Sequence, residues 1–263
     1  MSTVIPFASL PLSQGGVTYA YGPDSQRRPG VVPGTVEHLR IEASDRFPGT
    51  MRSVWVHRPA GHRDDEPSAV MVFNDGWWYL DPDGDVRGGI VLDDLAAEGS
   101  LPPMIGVFVD PSVVDADSAP TKNRNVEYDA FDDAYASFLL DEVLPLVRTR
   151  AAVTAAWCRP DGFGRVISLN PSFAQMPGGN PYPALLATGP RRETRVFLHA
   201  AHRDLHWNEP EWNWFAESLE TAAALARAQY DVRLVVGDGA HAPNHGGVLL
   251  PDALRWLWHR PSE

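Results

Sequence analysis

The sequence predicts an α/β domain, a mainly parallel sheet with helices on both faces, spanning residues 37–263 as one unit behind an irregular leader, 1–36. Three observations lead there. Short continuous apolar runs at 69–73, 105–109, 166–169, 195–199 and 232–236 each end in or run into Asn, Asp, His or Gly, as strands buried on both faces do. Helical periodicity fills the intervals between them, and the alternation of strand and helix is the signature of this architecture. No linker or repeat divides the chain, so one domain is expected.

Taken in order, the leader is rich in Pro, Gly and Ser, including Pro29-Gly30 and Pro33-Gly34, and shows neither period. Segments 38–43 and 52–57 alternate apolar and polar residues around the turn-forming Phe47-Pro48-Gly49 and read as an antiparallel opening pair. A short helix is expected over 90–98. Over 131–147, Phe131, Tyr135, Phe138, Leu139, Val143 and Leu146 fall on one apolar stripe, which predicts a helix. Further helices are read at 212–228 and 249–258, the last closing the chain.

Composition narrows the function classes. With 263 residues, 44% hydrophobic and 21% charged, the chain has ample material for a core. Its net charge of −12 carries no offsetting basic stripe, so neither nucleic acid nor an anionic membrane is expected as a partner. Lys122 is the only lysine, which leaves arginine as the anion-binding side chain. The single Cys158 allows no internal disulfide. The first 16 residues have neither a cationic start nor an apolar run of signal-peptide length, so a cytoplasmic location is expected. No run approaches the roughly 20 apolar residues of a membrane helix. The oligomeric state is not legible.

Ligands of open α/β sheets bind beyond the carboxyl ends of the strands, so the loops there are the candidate sites. The loop Asn74-Asp75-Gly76-Trp77-Trp78 places a glycine where backbone amides can face a ligand oxygen, making Gly76, Trp77 and Trp78 candidates for oxyanion or substrate binding; a tight turn covering the core is the competing reading. In the loop 199–207, Asp204 is the candidate for a carboxylate that orients an imidazole. His202, Asp204 and His206, two apart, also allow a His/Asp metal site. In the Gly-bounded loop 237–247, His241 is the candidate general base, with His245 second. Trp77, Trp78, Trp207, Trp212 and Trp214 follow strand ends and either rim one mouth, ready to stack on an aromatic ligand, or pack helices onto the sheet. No cofactor is expected; the expected partner is a small-molecule ester or aromatic ligand.

These stretches resemble a family, the enterochelin (ferric siderophore) esterase-like esterases of the α/β-hydrolase superfamily. The resemblance rests on the order, from residue 50 onward, of Ser53 to Gly61, Asn74-Asp75-Gly76, Arg124-Asn125 with Glu127-Tyr128, Phe138 to Pro145, Phe163-Gly164-Arg165-Val166, Gly178-Gly179-Asn180, and Gly239 to Gly247. It implies carboxylic-ester cleavage by a serine nucleophile, with His241 as base, Asp204 as orienting acid and backbone donors near Gly76 and Trp77.

Such esterases carry the serine in a Gly-x-Ser-x-Gly elbow between the helix ending near 147 and the strand beginning near 165. Here 148–160 holds neither serine nor glycine, and no Gly-x-Ser-x-Gly or Gly-x-Cys-x-Gly occurs anywhere in the chain. A central strand and its elbow, roughly 20 residues, are therefore expected to be missing near Arg150. Ser168 and Ser172, on and after the next strand, and Cys158, beside a tryptophan, read as structural. Three readings follow: an esterase-family chain impaired by loss of its nucleophile, a non-catalytic module binding an aromatic ligand such as a catecholate siderophore, and a His/Asp metal hydrolase. Without the central strand, facing sheet edges must close on each other or stay unpaired.

Overall fold

The computed structural model describes residues 16–63, 68–114, 123–147 and 163–259. Residues 1–15 of the leader, Lys122, Cys158 and the interval that bears on the elbow lie outside them.

The described strands are β1 (Thr35–Ile41), β2 (Arg52–Arg58), β3 (Ala69–Asn74), β4 (Met104–Val109), β5 (Arg165–Leu169), β6 (Arg195–Arg203) and β7 (Asp231–Ala240). They form two sheets. In the first, ordered β1-β2-β4-β3, the opening pair is antiparallel as predicted, β2 runs antiparallel to β4, and β3 lies parallel to β4. The second, β5-β6-β7, is wholly parallel. Among the described residues β3 pairs only with β4 and β5 only with β6, so no described strand pairs with either facing edge.

Alternation along the buried strands assigns each face its helix. Val54, Val56, Val70, Val72, Val107 and Val109 pack against Tyr135, Phe138, Leu139 and Val143 on one side of the first sheet. Met71, Phe73, Met104 and Phe108 pack against Leu92, Leu95, Leu250 and Leu254 on the other. The second sheet buries Val166, Val196 and Leu198 beneath Tyr182, Leu186, Ala222 and Leu225.

The described helices are α1 (Gly76–Leu80), α2 (Gly88–Glu98), α3 (Arg124–Tyr128), α4 (Ala134–Phe138), α5 (Leu144–Val147), α6 (Tyr182–Thr188), α7 (Trp214–Arg227) and α8 (Pro243–Trp258). The predicted 131–147 helix is corrected twice. It begins at Ala134, and a π-helical turn, Leu139–Val143, separates α4 from α5. That wider turn rotates the following residues off the 3.6 period, so Leu144 is buried and Leu146 exposed, and Phe131 lies exposed before the helix.

Two predicted loops are also corrected. Strand β6 continues through Arg203 and β7 through Ala240, which leaves two residues, 241–242, before α8. The glycines that suggested a loop serve close packing inside a helix. A Cβ on Gly246 would stand 2.7 Å from Leu169 Cδ1, and one on Gly247 would collide with the Asp85 carbonyl. Gly247→Ala therefore forces backbone apart, and a urea melt is expected to show a loss of about 1–3 kcal/mol; an unchanged midpoint contradicts the packing.

Candidate active site

The extension of β6 and β7 decides the geometry. Asp204 follows β6 directly and is 1% exposed, while His241 follows β7. His241 Nδ1 lies 2.7 Å from Asp204 Oδ1, which also accepts the Leu205 N–H at 2.8 Å. An ionised carboxylate only accepts, so Nδ1 carries the proton and Nε2 is left as the basic nitrogen. Nε2 has no hydrogen-bond partner among the described residues. Trp214 stands edge-on to the imidazole, ring centres 5.3 Å apart, and the side chain is 36% exposed. Such a pair can take a proton from a hydroxyl or water placed at Nε2.

A second imidazole supports this end of the sheet without sharing its chemistry. His199, in β6, is buried against Gly237, where a Cβ would lie 2.8 Å from its Nε2. Burial, and then the nearby His245, push its pKa down to about 4. The fold therefore holds His199 neutral, whereas the unfolded chain protonates it below about pH 6.5. Stability is full above that pH and is lost as pH falls towards 4, by about 3 kcal/mol at the lower end. Denaturant midpoints measured between pH 7 and 4 are expected to fall less steeply in His199→Gln; parallel slopes for the two proteins contradict the assignment.

Asp204 and His241 are brought together; the other sequence candidates are placed differently. His245 lies in α8, fully buried, with Nε2 2.9 Å from the Val17 carbonyl oxygen and its ring against Tyr19. It ties the leader to the domain and does not line the cleft. The 74–78 loop is largely helix α1, opened by Asp75 at φ 56°. Gly76 is needed for close approach, since a Cβ would meet the Val109–Asp110 backbone at 2.8 Å. The Trp77 N–H already donates to Asp110 Oδ1 at 3.1 Å, and its ring lies against Trp55. Of the three, only Trp78 lines the cleft.

The tryptophans do not form one rim. Trp78 and Trp214 line the cleft, whereas Trp207 takes the Arg203 guanidinium at 4.5 Å and Trp212 is exposed elsewhere. The His/Asp metal set does not converge either. Asp204 faces His241, His206 Nδ1 faces Glu209 at 3.1 Å, and His202 packs edge-on to Phe215. Among the described residues no group of three His, Cys, Asp or Glu side chains is placed to hold a metal ion. The Ser172 hydroxyl donates to Asp129 Oδ1 at 2.8 Å, and Ser168 lies within β5; neither is hydrogen-bonded to His241.

The cleft itself, about 660 Å³, is lined by residues of β3 and β5 and by His241 and Trp214. Sequence reasoning found Arg124, Glu127 and Tyr128 only as part of a resemblance. In the fold, the Arg124 guanidinium makes a two-pronged contact with Asp75 at 3.0 Å, and Tyr128 Oη accepts the Asp75 N–H at 3.2 Å. Tyr135 donates to Asn74 Oδ1 at 2.9 Å. Burial raises Tyr128 and Tyr135 well above the usual phenol range and brings Tyr79 up to about 12, so these hydroxyls stay protonated at neutral pH.

Strand order, flanking helices and a histidine–carboxylate pair beyond adjacent strand ends define an α/β-hydrolase fold, and comparison with solved structures agrees. The chain is similar to the enterobactin esterase of Shigella flexneri, at TM-score 0.65 and 20% identity over 90% of this chain; it spans 62% of that protein's length. A feruloyl esterase of Anaeromyces mucronatus superposes at TM-score 0.67 with 17% identity, covering 93% of this chain and 98% of that one. An IroE-like serine hydrolase of Shewanella oneidensis gives TM-score 0.61 and 16% identity, covering 85% and 80%. No protein-family model and no curated protein sequence matches the chain. Among the described residues no helix is long and apolar enough to cross a membrane.

Proposed function

We propose that this chain is an ester-hydrolase-type protein of the siderophore-esterase kind that has kept its acid–base pair and lost its nucleophile. His241 is the base and Asp204 the residue that fixes its tautomer. One observation carries the reading: a histidine–aspartate pair 2.7 Å apart with Nε2 unpartnered among the described residues, in a chain without a Gly-x-Ser-x-Gly serine. A fluorophosphonate probe tests it, because such probes phosphonylate a hydroxyl whose proton a neighbouring base removes. No labelling beyond that of boiled protein is expected. Heat-sensitive labelling of a single residue, lost in His241→Ala, overturns the reading.

A second reading, a module that holds an aromatic ligand without cleaving it, is favoured by Trp78, Trp214 and Tyr79 around the cleft. The similar structures include the Shigella flexneri enterobactin esterase with 2,3-dihydroxy-N-benzoyl-glycine and the Anaeromyces mucronatus enzyme with ferulic acid. Tryptophan fluorescence titrated with a ferric catecholate separates the readings. A saturable quench absent with simple phenols supports binding, and an unchanged spectrum removes it.

A further inference from the structure

We propose that the cleft between β3 and β5 is a strand-binding slot that takes an extended, apolar peptide of about five residues as an added parallel strand. The inference stands on sheet geometry and does not need the proposed chemistry. Both walls of the slot are strand edges: Val70, Met71, Val72 and Phe73 of β3 on one side, Ile167 and Leu169 of β5 on the other. Neither edge has a strand partner among the described residues. On each, the N–H and C=O groups of alternate residues point away from the existing neighbour and into the cleft.

The two edges run in the same direction. The residue after β3, Asp75, donates its N–H to Tyr128 Oη at 3.2 Å, and Ser172, just beyond β5, donates to Asp129 Oδ1 at 2.8 Å. Tyr128, the last residue of α3, and the adjacent Asp129 thus hold both carboxyl ends, and a strand between them can be parallel to each. The β3 wall is apolar on both faces, while Arg124, Glu127, Arg165 and Ser168 also line the cleft. Val70 and Val72 join the core on one face of the first sheet, Met71 and Phe73 that on the other. Beside β3, an occupant meets apolar neighbours on both faces, the pattern of a central parallel strand.

Size agrees. A central strand fills roughly 4.8 Å between strands and 10 Å between layers at 3.3 Å per residue, about 160 Å³ each, so a cleft of about 660 Å³ takes about four residues of core strand. β5 has five residues and β3 six. Main-chain hydrogen bonds to both edges supply affinity and the apolar faces supply selectivity, as in other cases of strand addition. The occupant's carboxyl end emerges beside His241, which lines the same cleft.

The test uses the whole chain and a fluorescein-labelled peptide of five alternating valine and alanine residues with a lysine tail for solubility. Saturable anisotropy is expected, together with hydrogen-exchange protection at 70–73 and 166–169. Methylating alternate peptide nitrogens, in either phase, is expected to weaken binding at least tenfold, because each phase deprives one edge of its donors and leaves buried carbonyls unmet. Absence of binding overturns the proposal, as does binding indifferent to methylation, which marks a merely greasy cleft. Protection confined to the outer edges β1 or β7 overturns it too, and so does a dimer in which a second copy fills the slot and excludes the peptide.

Discussion

Towards an aryl ester such as p-nitrophenyl butyrate, the chain is expected to show no saturable turnover, and His241→Ala and Asp204→Asn are expected to change the residual rate less than about threefold. In an enzyme with a complete triad, loss of the serine or the histidine alone lowers kcat on the order of 10⁶, because the members act as a unit and any one removal disables it. The pair here has the required parts on the acid–base side. Asp204 is buried and bonded to Nδ1, and His241 lines the cleft. No hydroxyl is hydrogen-bonded to Nε2 among the described residues; on the proposed reading the base has no proton to take, and removing it is expected to cost nothing further. A wild-type rate that saturates and falls by three or more orders of magnitude in His241→Ala reveals a nucleophile and sinks the account.

The largest stability effect is expected from Arg52→Met. Arg52 and Glu127 are both essentially inaccessible and meet through two parallel contacts of 2.9 Å. The guanidinium lies 3.9 Å from the Phe138 ring centre, and Glu127 also accepts the Ser112 hydroxyl. Removing the cation leaves a buried carboxylate without its counter-charge, a loss of about 3–5 kcal/mol. Against a typical total of about 5–15 kcal/mol, that loss is a large share. The pair also anchors α3, which carries Arg124 and Tyr128 to the cleft wall. Combining Arg52→Met with Glu127→Leu removes both charges and is expected to recover most of the loss, which a urea melt of the three variants measures. Equal stability of Arg52→Met and wild type contradicts the buried-pair argument.

What the sequence made legible follows from what each pattern measures. Continuous apolar runs report burial on both faces, and all five correspond to strands, three of them longer at the carboxyl end than the run itself, β3 by one residue and β6 and β7 by four each. The excess comes from residues such as Ala200 and Ala201, buried but too small to extend an apolar signal. Glycine misled twice. At Gly76, Gly246 and Gly247 the absent Cβ serves close approach of helices to backbone or side chain, which looks in a sequence like turn chemistry. The helices α3 and α6, five and seven residues long, show too few turns for a period to register. Asp204 and His241 were legible because they stand at strand ends. His245 differs only in belonging to the first turns of α8, where its partner is a leader carbonyl that no local pattern signals.

The most direct test of the account is the intact mass of the protein after brief exposure to p-nitrophenyl acetate, with His241→Ala in parallel. A base without a nucleophile accumulates no acyl-enzyme, so both proteins are expected to keep identical, unshifted masses. One acetyl group on the wild type, absent from His241→Ala and shed on standing, would show that the chain carries the missing nucleophile after all.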